Sequence, residues 1–327
     1  MSKKINPLIS IILPVFNGDL YLYQSIESCL NQTYRNIELI IIDDCSTDRT
    51  PDIIQKYATQ DDRVRFFRNE KNLKLPKSLN IGHKKAKGTY MTWTSHDNYL
   101  NINAIDQLVH TMTRRNCDIV YSNYSKVSEF GEQIIKKNLE GVSNLFFGNI
   151  IGPSFLYKRA VFERNQGYSE NLFLVEDHDF WIRAARHSTF YHLNEDLYSY
   201  RIHRESLSSS IESDNRVNHS FKMAQKKMYL DIFNHINYPY PEVISAIILS
   251  KFFREELAFE WIKRNKFSIN ICLNSAFLLD SFIPDSNHKN QFTSLLFMGL
   301  KRASKNNFQD MIRINYYKLK VLLIQQL

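Results

Sequence analysis

The chain has 327 residues, 43% of them hydrophobic and 13% aromatic, which describes a folded protein with room for one α/β domain and an appendage. Its 9 glycines and 8 prolines exclude collagenous or linker-like character, and 42 Lys and Arg against 34 Asp and Glu give a net charge of +8. That charge suits a phosphorylated ligand, a polyanion or an acidic membrane surface, or solubility alone. Cys29, Cys45, Cys117 and Cys272 are too scattered for a zinc site or a disulfide framework and read as reduced cytoplasmic thiols.

The opening MSKKINPLISIILPVF superficially resembles a short leader, but Pro14 and Asn17-Gly18-Asp19 interrupt it and no small-residue cleavage site follows. It reads instead as a buried strand over 8–15, in a protein that is cytoplasmic or peripheral at the inner face of the cell membrane. Leu20, Leu22, Ile26, Cys29 and Leu30 then recur at helical spacing, and residues 37–42 repeat the apolar strand pattern, which makes a βαβ unit. The alternation continues with a helix from Asp48, a strand at 64–67, a helix at 76–87, a strand at 89–94, a helix at 103–115 and a strand at 118–122. This is the pattern of an α/β chain with a doubly wound, mostly parallel sheet flanked by helices. Such sheets bind ligands outside the carboxyl ends of their strands.

Beyond residue 124 the rhythm loosens, with a strand at 155–157, a helix at 176–186 and two short strands at 190–192 and 198–202. From Asp214 onward strand signals stop, and Ile247, Ile248, Phe252, Leu257 and Trp261 at helical spacing predict a helical C-terminal region.

Polar clusters stand at the predicted strand ends. Asp43 and Asp44 leave the second strand, where a carboxylate can accept from a base N–H or from ribose hydroxyls, while Ser46, Thr47 and Asp48 suit the cap of the next helix. Pro14, Val15, Phe16 and Asn17 leave the first strand and can set backbone groups and a ring beside a flat base, or simply mark a turn. Ser95, His96 and Asp97 leave the fourth, and Asp97 suits a hard divalent cation bridging two phosphates, or plain solvation in a loop. Glu176, Asp177 and Asp179 open a helix, where acids favour the dipole or act as a general base. Arg201 and His203 are expected on one face of a strand; the arginine suits a phosphate, the histidine a metal or a phosphate, and a structural role fits both as well.

Taken in order, IILPVFN (11–17) with SCLNQT (28–33), LIIIDDCSTD (39–48), AKGTYMTWTSHDN (86–98) and EDHDFWIR (176–183) resemble the family 2 glycosyltransferases of the GT-A fold, over about 8–210. The resemblance implies a GT-A domain over 1–210 and a helical C-terminal region over 211–327. Within the domain, a nucleotide-sugar-binding half covers about 1–124 and an acceptor-side half about 125–210. It also implies inverting transfer from a UDP-sugar donor to a hydroxyl of a saccharide or lipid-linked acceptor, in the synthesis of bacterial capsule, O-antigen or another surface polysaccharide. By the same resemblance Pro14, Val15, Phe16, Asn17 and Asp44 are uridine contacts, with Asp43 beside them, and Lys77 is a basic residue near the base and phosphates. Asp177 matches the catalytic base and His203 a metal or phosphate contact, and Arg201 or Lys77 is expected to offset the charge of the leaving nucleotide.

Ser95-His96-Asp97 stands where the family has an Asp-x-Asp motif, so the first acid is missing and Asp97 must carry most of the binding of Mn2+ or Mg2+. A catalytically silent nucleotide-sugar-binding subunit of a polysaccharide assembly complex is the alternative; the presence of Asp44, Asp97, Asp177 and His203 together speaks against it. Nucleic acid is not expected as a partner, because net charge alone would support it. Lys222, Lys226 and Lys227 with Met223, Met228 and Leu230 make a basic segment with apolar neighbours, which reads as a solvated, packed helix or as a peripheral membrane contact. The C-terminal helices also offer a surface for a homodimer.

Overall fold

A computed structural model of the chain describes residues 6–253, 261, 264–279 and 291. The chain divides into two compact units, Met1–Leu145 with Asn149–Phe221, and Phe146–Gly148 with Lys222–Leu327.

In the first unit, β1 (Ile9–Val15) and β2 (Ile37–Asp43) are buried along their whole length, as unbroken apolar runs covered on both faces must be. They lie parallel with β3 (Val64–Arg68) and β4 (Tyr90–Trp93) in the spatial order β3-β2-β1-β4. The connecting helices α1 (Leu22–Leu30), α2 (Thr50–Gln60) and α3 (Leu75–Lys85) begin within about two residues of the starts read from the sequence, and α3 ends two residues before its predicted limit. Helix α1 turns Leu22, Ile26, Cys29 and Leu30 inward at the spacing read from the sequence.

The second half of the sheet is mixed rather than parallel. After β5 (Tyr99–Leu100) and α4 (Ala104–Arg115) come β6 (Ile119–Val127), β7 (Gln133–Lys137), β8 (Phe155–Lys158), the helices α5 (Arg159–Arg164) and α6 (Glu176–Ala185), β9 (Phe190–Arg201) and the short helix α7 (Leu207–Ser213). The order continues β4-β8-β6-β9-β5, with β7 hairpinned onto β6. Strand β8 runs antiparallel to β4 and β6, whereas β9 is parallel to β6. A parallel neighbour needs a crossover, usually helical, and the link from β6 to β8 contains a hairpin strand and a 3-10 turn but no α-helix.

Two predicted short strands merge into β9, because the sheet tolerates the exposed Asn194 and Glu195 as a register shift opposite Asn123. Strands β5 and β7 were not anticipated. The first has two residues, and the second exposes Gln133 to Lys136 without inside–outside alternation. Since β9 ends at Arg201, His203 lies beyond the strand and not on a face shared with Arg201.

One buried acid ties the parallel strands together far from their carboxyl ends. Glu38 Oε1 accepts from Ser10 Oγ at 2.6 Å, from the Lys87 N–H at 2.5 Å and from the Gly88 N–H at 3.2 Å, while Oε2 accepts from Arg65 at 2.7 Å. Burial pushes this carboxyl up, and the hydrogen bonds and the Arg65 charge outweigh it, so it stays below its ordinary value. The opposite ends of the same strands are left for the site.

In the second unit, most of α8 (Asn215–His235) packs with α9 (Pro241–Phe252) and α10 (Lys266–Asn274). Met228, Phe233, Ile244, Ile247, Ile248 and Cys272 are buried there, and the Tyr238 hydroxyl donates to the Cys272 carbonyl at 2.6 Å. Lys222, Lys226 and Lys227 lie on α8, where Lys227 pairs with Asp231 at 2.9 Å, Met228 is fully buried and Met223 is exposed. Among the described residues no helix is long and apolar enough to cross a membrane. Leu257 and the rest of the predicted helical region beyond residue 279, save residue 291, lie outside the described residues.

Candidate functional site

Val15 and Asp43 are register partners at the ends of β1 and β2, so the loops that follow leave the sheet side by side. These loops are laced to each other. The Asn17 N–H donates to Ser46 Oγ and Asn17 Oδ1 accepts from the Thr47 N–H, both at 2.9 Å, with Asn17 in the left-handed region at φ 50°. Asp48 accepts from the Asp19 N–H at 3.1 Å and from the Thr50 N–H at 3.0 Å, which makes it the bracing and capping acid expected of this segment. Asp43 is fully buried, accepts from the Ser46 N–H at 2.9 Å and sits 3.4 Å from Arg68 Nε. Asn17 and Asp43, expected as nucleotide contacts, therefore hold the loops in place.

Asp44 does two jobs. Its oxygens accept from Asn69 Nδ2 at 2.8 Å, from the Leu73 N–H at 2.8 Å and from the Lys74 N–H at 2.9 Å. Three of roughly four acceptor positions are thus used to fold the 69–74 loop. The fourth remains on a residue that faces a cleft.

That cleft, of about 350 Å3, opens at the carboxyl ends of β1, β2 and β4. Pro14, Val15, Phe16, Asp44, Ser95, His96 and Asp97 line it; Asn17, Asp43, Lys77, Asp177, Arg201 and His203 do not. Phe16, 43% exposed, and Phe173 supply flat apolar surface, and Lys74 supplies a cation. Glu205, Ser206, Leu207 and Ser210, which follow β9, also line it. Sequence reasoning passed them over because a polar segment after a strand has no periodicity to place it.

Lys77 is directed to Glu170 at 3.8 Å. The basic group at the cleft is Lys74, just ahead of Pro76 in the first turn of α3, and helix-start chemistry alone could have put it in the loop. For the UDP ligand expected from the sequence, Lys74→Ala should weaken binding about tenfold, the worth of one charge-assisted phosphate contact, whereas Lys77→Ala should change it less than about twofold. Isothermal titration with UDP distinguishes the two.

Asp97 is held through one of its two carboxylate oxygens. Its Oδ2 is 3.0 Å from His203 Nε2, and its Oδ1 is buried with no hydrogen-bond partner. Burial pushes the carboxyl up, but the bond from His203 and the neighbouring charges of His96 and His203 hold it below its ordinary value. His96 packs where Gly18 has no side chain: a Cβ at residue 18 would lie 2.5 Å from His96 Cδ2.

Arg201 is 2% exposed and does not line the cleft. Its Nε donates to the Asp97 carbonyl at 2.9 Å, its backbone N–H to Asn98 Oδ1 at 2.8 Å, and its guanidinium to the Glu129 carbonyl at 2.5 Å and to Gln24 Oε1. Tyr21 stacks on it at 4.5 Å. The phosphate role expected of Arg201 is therefore replaced by bracing of the Asp97 loop.

An unsatisfied buried carboxylate oxygen beside an imidazole fits a single divalent cation, which would complete what the protein leaves open at Oδ1. Among the described residues no three His, Cys, Asp or Glu side chains gather around one point, so phosphate and water oxygens would have to supply the remaining ligands.

Asp177 lies in the first turn of α6 (Glu176–Ala185), just after Leu174, whose φ of 82° marks a sharp entry into the helix. Its Oδ1 accepts from the His178 N–H at 2.7 Å and its Oδ2 from Asn149 Nδ2 at 2.6 Å. Burial pushes Asp177 above the ordinary carboxylate range, against the pull of His178 and Asn149. Glu176, 4% exposed and with Oε2 unpartnered, is pushed up as well by burial and by the charge of Asp177.

The model of the family described as Glycosyl transferase family 2 matches residues 10–183. An uncharacterized glycosyltransferase of Rickettsia typhi is 32% identical over 210 residues, covering 61% of this chain and 65% of that protein. Glycosyltransferase GlyG of Streptococcus pneumoniae is 30% identical over 217 residues, covering 59% and 70%. The chain spans only 36% and 32% of two further Rickettsia relatives, from R. felis and R. bellii. Among solved structures, S. aureus TarS 1-349 in complex with UDP-GlcNAc superposes with a TM-score of 0.58 at 16% identity, covering 90% of this chain and 89% of that one. Likeness at that identity bears on the fold, which is GT-A.

Proposed function

The chain belongs to glycosyl transferase family 2, and from that premise we propose that it transfers a sugar, with inversion, from a UDP-sugar to a hydroxyl of a saccharide or lipid-linked acceptor. The observation that carries the reading is the cleft at the strand ends, where Asp44, Lys74, Phe16 and the half-satisfied Asp97 meet. It combines a flat apolar wall for a base, acceptors for its N–H and ribose hydroxyls, and a cation near phosphate. The UDP-GlcNAc complex of TarS, a protein of the same fold, favours a UDP-sugar over other donors. The acceptor class, a bacterial surface polysaccharide such as capsule or O-antigen, follows from the family resemblance.

Asp177 takes the proton of the acceptor hydroxyl as that oxygen bonds the anomeric carbon, and the bond from that carbon to the phosphate oxygen breaks with its electron pair leaving on UDP. The anomeric centre inverts because attack and departure are on opposite faces. Asp44 and Phe16 hold the uridine, and Lys74 faces the departing diphosphate. A divalent cation, Mn2+ or Mg2+, held by Asp97 with His203 as its neighbour would neutralise the charge that builds on the leaving group. Arg201 braces the backbone that carries Asp97, through the Asp97 carbonyl.

The test is metal-dependent UDP release from UDP-glucose, UDP-galactose, UDP-GlcNAc and UDP-GalNAc, with GDP- and dTDP-sugars as controls. Release from at least one UDP-sugar and from neither control is expected. Tight UDP binding without release, across the panel and with acceptor glycans present, would support a silent binding subunit instead.

A further inference from the structure

Asn149 lies between the 3-10 turn at Val142–Phe147 and Ile151, in a segment with no recognisable motif. Two bonds tie this stretch to α6. His178 Nε2 bonds the Leu145 carbonyl at 2.7 Å, and Asn149 Nδ2 donates to Asp177 Oδ2 at 2.6 Å. The orientation of the amide follows from chemistry, since an ionised carboxylate only accepts and the NH2 of Asn149 must face it. The two Asp177 oxygens are thus held from different directions, one by the helix backbone and one by a side chain from elsewhere in the fold.

We propose that Asn149 is a positioning residue for Asp177, fixing the rotation of the carboxylate and favouring its ionised form. The inference rests on the reading of Asp177 as the base. A carboxylate free to rotate about its χ2 presents the wrong lone pair for much of the time, and a second donor on one oxygen removes that freedom. The same donor stabilises the negative charge. Asp177 is otherwise faced by Glu176, His178 and Asp179 on its own helix, by Tyr168 from the preceding segment and by Tyr200 from β9. Asp179 is already held by Arg183 at 2.7 Å, the Tyr200 hydroxyl donates to Ser208 Oγ at 2.8 Å and the Tyr168 hydroxyl is 3.2 Å from that of Tyr157, so each of these groups is already engaged elsewhere.

The sign follows directly. Loss of the Asn149 donor raises the pKa of Asp177, so a rate that needs the ionised base loses its acid limb at a higher pH. Asn149→Ala is expected to move that limb up by about one pH unit and to cut kcat at pH 7 about tenfold, with KM for the UDP-sugar changed less than about twofold. Asn149→Asp keeps the shape of the side chain but sets two carboxylates against each other to share one proton, so its limb should move up by about two units or more.

The experiment pairs two measurements on the full chain. Carbon-13 NMR of Asp-labelled protein, with Asp177→Asn to assign the signal, reads the titration of Asp177 without any substrate. The pH profile of UDP release from the best donor of the panel reads the chemistry. Asp177 titrations shifted upward in both variants, with rate limbs that follow, are the expected result. An Asp177 titration that stays put in correctly melting Asn149 variants overturns the inference and leaves the base reading standing. A titration that moves while the rate profile does not overturns the base reading, and the positioning role with it.

Discussion

Asp177→Asn is expected to lower turnover by roughly a hundredfold or more while leaving the Kd for UDP within about twofold of its original value. The two halves of that expectation come from different parts of the molecule. Asp177 stands in the first turn of α6 and is absent from the cleft lining, so it contributes little to holding the nucleotide. It does contribute the proton acceptor, and an amide of the same shape keeps the packing while removing the basicity. The neighbouring Glu176 offers no rescue, because it is 4% exposed and burial alone already pushes its carboxyl up. The pH profile adds a check with a definite sign. The base works only when ionised, and burial pushes Asp177 above the usual carboxylate range, so turnover should fall as pH drops through that raised value. Near-normal turnover of Asp177→Asn would reject the base assignment outright.

Asp97→Asn should reduce metal-dependent UDP release by about two to three orders of magnitude, the scale of losing one electrostatic stabiliser of a leaving group. The carboxylate is buried, bonded to His203 on one oxygen and open on the other, and its loop is pinned by Arg201. An amide of the same size preserves the packing and removes the charge. Binding gives a readout independent of turnover: titration of UDP with and without Mn2+ should show metal enhancement in the original chain and none in Asp97→Asn. His203→Ala should weaken that enhancement without abolishing it, since the imidazole touches Asp97 and does not line the cleft. Equal enhancement in all three proteins would remove the metal from the proposed chemistry.

The parallel half of the sheet was legible in the chain because its signals are local. The runs at Ile9–Val15 and Ile37–Asp43 are apolar over a strand's length, and the helix between them repeats its apolar residues every three or four positions. Asp44, Asp97 and Phe16 could be placed at the cleft for the same reason, since Asp44 and Phe16 directly follow a strand and Asp97 stands in the loop after β4, at carboxyl ends that had to face the ligand. The order of the four motif blocks made the family recognisable as well, and the match over 10–183 bears that out.

Which polar side chain at a strand end meets the ligand, and which one holds the loop that meets it, was decided only by the tertiary structure. Asn17, Asp43 and Arg201 are of the right type and in the right place, yet each meets a partner 25 to 177 residues away that no local pattern announces. Lys74 and Lys77 are three residues apart, and only the turn of the chain around Asp44 brings the first to the cleft and sends the second to Glu170. Asn149 had no motif at all; its link to Asp177 spans 28 residues. The mixed half of the sheet escaped for a related reason, because an exposed edge strand such as β7 and a two-residue strand such as β5 carry no periodicity. Hydrophobic burial repeats along the chain and so can be read from it, whereas a hydrogen bond is a single meeting of two groups that exists only once the chain has folded.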